Sequence, residues 1–370
     1  MTVTRQHAAG LIAVLIILGV SVPARSDDPV TSAVRFNREI IRIFDRKCLS
    51  CHAPGGIAMS LATYRDARPW FRAIREEIVE QRMPPWSAAR GYARFEGDIG
   101  LTPRELTTIL TWVDGGVPRG DESDLPASSV SAAPDAAEKP DYRVEIPPQQ
   151  IPGNAEDVIR RVTIDCSLTT DRWVRHLQVR PGDRRLLRAA FVSVVSNGQR
   201  AAWAGAWTPW QALVTAPTPG AFLIRAGSRL EVELHYRGQD AATTDRSAIE
   251  LFFAPDGKWH EMISLAIEID QAVKHGNSAR RKGEVTLTRD TVVRALRPDL
   301  AADDQSLEVT AHKADGSVEV LLWIPKYRAE WPTPYVFKEP VRLPAGTVIS
   351  VTGTGPPPAL RARVILTGYQ

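Results

Sequence analysis

The chain has 370 residues, 44% of them hydrophobic, with ten tryptophans, which is enough apolar material for two or three packed domains. Its formal charge of +3 is small for that length and gives no broad basic footprint, which argues against a nucleic-acid partner. Three cysteines in so long a chain are too few for a disulfide scaffold.

Residues 1–24 read as an export leader. Arg5 and His7 make a polar start, an apolar run spans Ala8 to Val22, and Val22-Pro23-Ala24 offers small residues for cleavage after Ala24. An uncleaved anchor is the alternative reading. The run is short for a membrane span, and no other apolar run is long enough, so the mature chain is expected to be exported, most simply to a bacterial periplasm, with no membrane span.

Phe44 to Gly56 reads FDRKCLSCHAPGG. Cys48 and Cys51 lie three apart and His52 follows at once, the spacing of covalent c-type haem attachment. Each thiol adds to one porphyrin vinyl group, two intervening residues set the gap, and the histidine ligates iron from beneath the ring. A dithiol redox pair would want a βαβ context, whereas these flanks have helical periodicity. A zinc site would need two more nitrogen or sulfur ligands, and the next histidine is His176. One covalent haem is therefore the expected cofactor.

Val34, Phe36, Ile40, Ile41, Ile43 and Phe44 predict an amphipathic helix running into Cys48. A second helix is expected through DARPWFRAIREEIVEQ, with Trp70, Ile74 and Ile78 on one face and Pro69 in its first turn. A third starts at Thr102 with Pro103 and Glu105 as a capping box, carries Leu106, Ile109, Leu110 and Val113 as its stripe, and stops at Gly115-Gly116. Two methionines compete for the sixth position on the iron. Met83 sits in the stiff QRMPPW loop and is preferred, and Met59 is the alternative, with packing as its plainer role. Trp70, Trp86 and Trp112 are expected to wall the haem pocket.

Past Gly120 the composition turns to Ser, Ala, Pro and Asp, and residues 121–150 read as a flexible linker. Beyond Ile151 short alternating runs separated by Pro and Gly predict β-sandwiches. Ala226-Gly227-Ser228 and Ala345-Gly346-Thr347 each open a strand after a short apolar segment. That echo suggests two sandwiches in tandem, 151–263 and 264–370.

The helical pattern around the haem motif resembles a class I cytochrome c, over residues 29–120. The segments PGDRRLLRAAFVSVV, LIRAGSRLEVELHYRG, LEVTAHKADGSVEVLLWIPKY and FKEPVRLPAGTVISVTG resemble copper type II, ascorbate-dependent monooxygenases of the peptidylglycine monooxygenase kind. Together these imply a multidomain chain, an all-α cytochrome c-like domain followed by all-β tandem jelly-roll sandwiches. A Met-Pro loop is the usual distal element of the first family, which again favours Met83. Of the copper ligands the second family implies, only His235 is present. Arg188-Ala189 stands where a histidine pair belongs, Asp299-Leu300-Ala301 stands where His-x-His belongs, and the final methionine has no counterpart. One imidazole beside an arginine does not hold copper tightly.

His235 falls on the face of LEVELHYR opposite Leu230, Val232, Leu234 and Tyr236, where the plain reading is an exposed or salt-bridged side chain. His176, His260, His275 and His312 stand singly, and Cys166 reads as a small buried residue. The favoured function is an exported single-haem electron carrier with a protein redox partner, a scaffolding β region and no catalysis of its own. The alternatives are a haem-coupled copper monooxygenase and a ligand-binding β-sandwich regulated by haem.

Overall fold

The computed structural model describes residues 32–127, 138–196, 199–211, 213–275, 278–300, 303–355 and 362–370. Residues 1–24 and the middle of the expected linker lie outside them. Strands dominate, and they stack as four sheet layers.

The first sandwich has an outer sheet in the order Tyr142–Glu145, Ala248–Phe253, Arg172–Arg180, Gly220–Ile224, His260–Glu261. Its inner sheet runs Val158–Asp165, Arg229–Tyr236, Leu187–Ser196, Gln199–Trp207. Leu230, Val232, Leu234 and Tyr236 point into the core between these sheets, as their alternation predicts, and meet Leu177, Val192 and Leu251.

The second sandwich has an inner sheet Ile263–Glu268, Ala362–Tyr369, Thr291–Leu300, Tyr335–Leu343. Its outer sheet runs Gln271–His275, Ser278–Thr286, Val348–Thr354, Ser306–His312, Val318–Ile324. The two inner sheets lie face to face. Ala189, Phe191, Trp203 and Ala206 from one pack on Ala295, Val336 and Ile365 from the other. This is why Leu187–Ser196 is buried along nearly its whole length instead of alternating: both of its faces are covered.

The echoed turns are the same device in both sandwiches. Gly227 and Gly346 sit at φ 74° and 82°, where a side chain would be strained. The amide of the preceding alanine donates to an aspartate in each case, Ala226 to Asp171 at 2.9 Å and Ala345 to Asp290 at 2.8 Å. The β region begins earlier than expected. Tyr142–Glu145 pairs with Ala248–Phe253, and Gln149–Ile151 pairs with Thr243–Asp245, so the first strand falls inside the stretch read as linker and the second starts in it.

Among the described residues the N-terminal segment holds five short α-helices: α1 Ile41–Lys47, which continues a single wide turn at Phe36–Ile40, α2 Leu49–His52, α3 Tyr64–Ala67, α4 Phe71–Val79 and α5 Pro103–Asp114. The capping box at Thr102 forms as its sequence predicts: Glu105 N donates to the Thr102 hydroxyl at 3.2 Å, and Thr102 N to the Glu105 carboxylate at 2.9 Å.

The expected fold class is nevertheless corrected. No helix here exceeds the 12 residues of α5, and these short pieces do not build the all-α cytochrome domain the resemblance implies. Nor does the segment stand apart. The chain between α4 and α5 leaves it and buries Ala88 and Phe95 in the core of the second sandwich.

The three tryptophans expected around one pocket go to three places. Trp112 is fully buried against Phe36 and Phe44. Trp86 packs edge-on against Tyr335 of the second sandwich. Trp70 is exposed.

Candidate functional site

The cysteine motif is built by one helical turn. The wide turn and α1 bury Phe36, Ile40, Ile41, Ile43 and Phe44, the face the spacing predicts, and deliver the chain to Cys48. Cys48 N donates to Phe44 O at 2.8 Å, and His52 N donates to Cys48 O at 2.9 Å. Positions i, i+3 and i+4 of such a turn share one side, so Cys48, Cys51 and His52 are brought together.

The chain then folds back through Gly55-Gly56. A Cβ on Gly56 would lie 2.3 Å from the carbonyl oxygen of Cys51, so only glycine allows this approach. The return is fixed by Leu61 N donating to His52 O at 2.8 Å and Ala58 N to Cys51 O at 3.2 Å.

That return places the Met59 carbonyl 2.9 Å from His52 Nδ1. A carbonyl can only accept, so Nδ1 carries the hydrogen and Nε2 keeps its lone pair. Burial holds the imidazole below its ordinary value, against a smaller opposing pull from the same carbonyl. The result is a neutral ring with one nitrogen fixed and the other free, the arrangement a metal-ligating histidine adopts.

Both cysteines of the motif are free thiols. Burial pushes each up to about 12, with the neighbouring Cys51 adding to the effect at Cys48. That direction disfavours the thiolate that a dithiol exchange pair needs. Cys166 is buried too and is pushed up to about 11.

The two methionines separate. The side chain of Met59 is exposed, and the residue contributes its carbonyl to His52. Met83 is half-buried just past α4. Arg82 forks onto Glu77 with two bonds of 2.9 Å, and Met83 N donates to Glu77 O at 3.1 Å, which pins the loop to the helix end.

His235 lies far from this turn, in the seam between the two inner sheets. It is buried rather than solvent-facing. Its Nε2–H donates to Glu233 at 2.9 Å, and its ring meets Phe191 edge-on at 5.9 Å. Glu233 also accepts from Arg297 at 2.6 Å and Arg161 at 2.9 Å. Burial opposes ionisation of Glu233, but the His235 hydrogen bond and the Arg297 charge hold its carboxyl well below the usual range. The Arg297 guanidinium lies 3.7 Å from the Phe191 ring centre, and burial pulls its pKa down.

The other positions where copper ligands were sought are occupied by charge pairs. Arg188 is fully buried and donates to Asp157 at 2.6 Å and to Glu330 at 3.0 Å. Asp299 accepts from Arg363 at 2.9 Å. Ala301 lies outside the described residues. Among the described residues His176 stacks on Phe252 at 4.2 Å, His260 bonds the carbonyl of Gln370, and His312 bonds Thr310, so none of these three joins His235.

Among the described residues no group of three or more His, Cys, Asp and Glu side chains could hold a metal ion. A metal centre built from protein ligands, in the β region or on a helical cytochrome fold, is therefore corrected away.

Comparison with known proteins gives no relative. No protein family matches the chain, and no curated protein does. Three solved structures share a general β-rich likeness. One is PBCV-1 VP54 fitted into a cryo-EM reconstruction of the virophage Sputnik, at 8% identity and TM-score 0.24 over 62% of this chain and 94% of that one. Another is the PBSX exported protein XepA, at 9% identity and TM-score 0.19 over 58% and 86%. The third is Bacillus subtilis oxalate decarboxylase, at 7% identity and TM-score 0.13 over 65% and 80%. Likenesses this weak carry no argument. The resemblance to class I cytochromes c and to copper monooxygenases is corrected with them. The helices do not form the first fold, charge pairs fill the ligand positions of the second, and no family match supports either. The β-rich fold fits jelly rolls and no more specific class. No helix among the described residues is long and apolar enough to cross a membrane.

Proposed function

We propose that this chain would hold one haem, through thioethers at Cys48 and Cys51 and with His52 as an iron ligand, and that it would pass single electrons to a protein partner. The observation that supports this most is the bond from His52 Nδ1 to the Met59 carbonyl, which leaves Nε2 as the free donor of the motif. A porphyrin brings four nitrogens of its own, so this reading asks one imidazole of the protein where a bare metal ion would ask three or four ligands. When bound, the haem would supply a one-electron couple.

The protein's part is to hold two protonated thiols and one neutral imidazole on one side of a helical turn, and to keep the ring from rotating. Met83 is the candidate for the opposite position, because its loop is pinned to the end of α4 and carries Pro84 and Pro85. Export through residues 1–24 belongs to the same proposal, since haem attachment to such thiols takes place outside the bacterial cytoplasm.

The test is production in a host that attaches haem in its periplasm, followed by iron and copper content and haem retention on the denatured chain. One iron, no copper after washing, and haem that stays with the polypeptide are expected, with retention lost in Cys48→Ser/Cys51→Ser. An intact motif that leaves such a host without haem overturns the proposal. Met83→Ala should remove the long-wavelength sulfur-to-iron absorption band, and Met59→Ala should keep it.

A further inference from the structure

We propose that residues 84–100 act as a clamp that joins the helical segment and the second sandwich into one cooperative unit, so that the cysteine turn is held at a fixed place on the β region and is not carried on a tether.

Both ends of the clamp are rooted in the helical segment, one of them next to the motif. Met83, which leads into it, is bonded to the end of α4. At the far end Lys47, the residue before Cys48, donates to the carbonyl of Asp98 at 2.8 Å.

The middle of the clamp covers the second sandwich where it is most open. Tyr335–Leu343 is the last strand of the inner sheet, and Val318–Ile324 is the last strand of the outer sheet. Each therefore offers unpaired backbone groups. The clamp meets both. Ala89 N donates to Trp323 O at 2.8 Å on the outer edge. On the inner edge Glu96 N donates to Val336 O at 2.8 Å and Lys338 N donates to Arg94 O at 2.9 Å, around a bridge between Phe95 and Phe337.

Phe95 is only 5% exposed and lies between Tyr335 and Phe337 at 5.3 Å and 5.1 Å. Arg294, buried in the inner sheet, closes the joint. It donates to Glu96 of the clamp at 2.8 Å, to Thr215 O of the first sandwich at 2.9 Å, and to Phe337 O. Taking the clamp away would open two sheet edges, expose Phe95 and strip a buried guanidinium of its counter-charge. Each loss is unfavourable, and all three occur together.

This inference stands apart from haem binding. The test uses the full chain with a protease recognition sequence placed within residues 128–137, cut under native conditions and run by size exclusion at low micromolar concentration. The two fragments are expected to elute together at the position of the uncut chain. Glu96→Lys, which sets two cations against each other at the joint, and Phe95→Asp should make the cut fragments elute apart. Separation of the wild-type fragments overturns the proposal, and so does co-elution in both variants. The same run on the Cys48→Ser/Cys51→Ser chain should give the wild-type result, so failure of haem attachment and failure of the clamp read out separately.

Discussion

Two histidines of this chain each give one ring N–H to an oxygen acceptor, and they differ in what lies beyond that bond. His52 gives Nδ1–H to a backbone carbonyl and keeps Nε2. His235 gives Nε2–H to a carboxylate that Arg297 and Arg161 already share. On the proposed reading the first is the candidate ligand, and the second is one member of a charge cluster. The difference lies in what surrounds each ring. A tight glycine turn brings one acceptor to His52, whereas His235 bonds a carboxylate of its own strand and the meeting of two sheets adds a buried cation to that pair. A metal cation approaching the second nitrogen of His235 would enter a buried seam beside the Arg297 guanidinium, whereas no such cation bonds the acceptor of His52.

The most severe way to break the comparison is to remove the carboxylate that closes the His235 cluster. Glu233→Gln leaves the Arg297 guanidinium buried without a counter-charge. Destabilisation of about 3–5 kcal/mol is expected, seen as a lower urea midpoint at unchanged slope. Adding Arg297→Met should restore much of the loss, because a matched apolar replacement of a buried ion pair is often close to neutral. If the single variant is as stable as wild type, the cluster is not closed in the sense described, and His235 is freer than its hydrogen bond indicates.

The same carboxylate makes a pH prediction. Its folded pKa lies below the ordinary value of 4.5, so in acid the unfolded chain binds the proton first. Its contribution is therefore complete above about 4.5 and is lost as pH falls below it. His176 acts in a different window. Burial, with the Arg175 charge beside it, holds its imidazole down at about 4 from an ordinary 6.5. Stability should start to fall below pH 6.5 from His176 and steepen below 4.5 from Glu233. Urea midpoints measured from pH 7 to 3.5 should show both limbs, with Glu233→Gln weakening the second and keeping the first. A variant that retains the steep limb in full would assign it elsewhere.

What was legible in the sequence was local. The capping box at Thr102, the inward set Leu230, Val232, Leu234 and Tyr236, and the repeated Ala-Gly turn are all decided within a few residues, and each forms as the pattern predicts. The spacing of Cys48, Cys51 and His52 was equally plain, but the carbonyl that orients the imidazole was not. It is a backbone group, and no side-chain pattern announces it. The errors came from long-range contacts. Trp86 and Phe95 have an ordinary loop setting in sequence, and their partners Tyr335 and Phe337 lie some 240 positions further along the chain. The face carrying His235 alternates as a solvent-exposed face would, and only the second inner sheet laid over it turns it into an interior. Strands Tyr142–Glu145 and Gln149–Ile151 are too short to show a period, so they read as part of a linker.

The smallest expected effect sharpens the comparison most directly. A glutamine at position 235 keeps an N–H that can donate to Glu233, so His235→Gln should cost no more than about 1 kcal/mol and should leave haem and metal content unchanged. At position 52 the same exchange offers the Met59 carbonyl a donor of the same kind but removes the free ring nitrogen. His52→Gln should therefore fold while losing the spectrum of a nitrogen-ligated haem, even where the thioethers still form. Both variants conserve a hydrogen bond and lose a ring lone pair, and they differ in where it stands, beside the two thiols at position 52 and in the charged seam between the sheets at position 235. Equal haem spectra for the two variants would mean that the His52 nitrogen is no more available than that of His235, and the distinction between the two regions would fail.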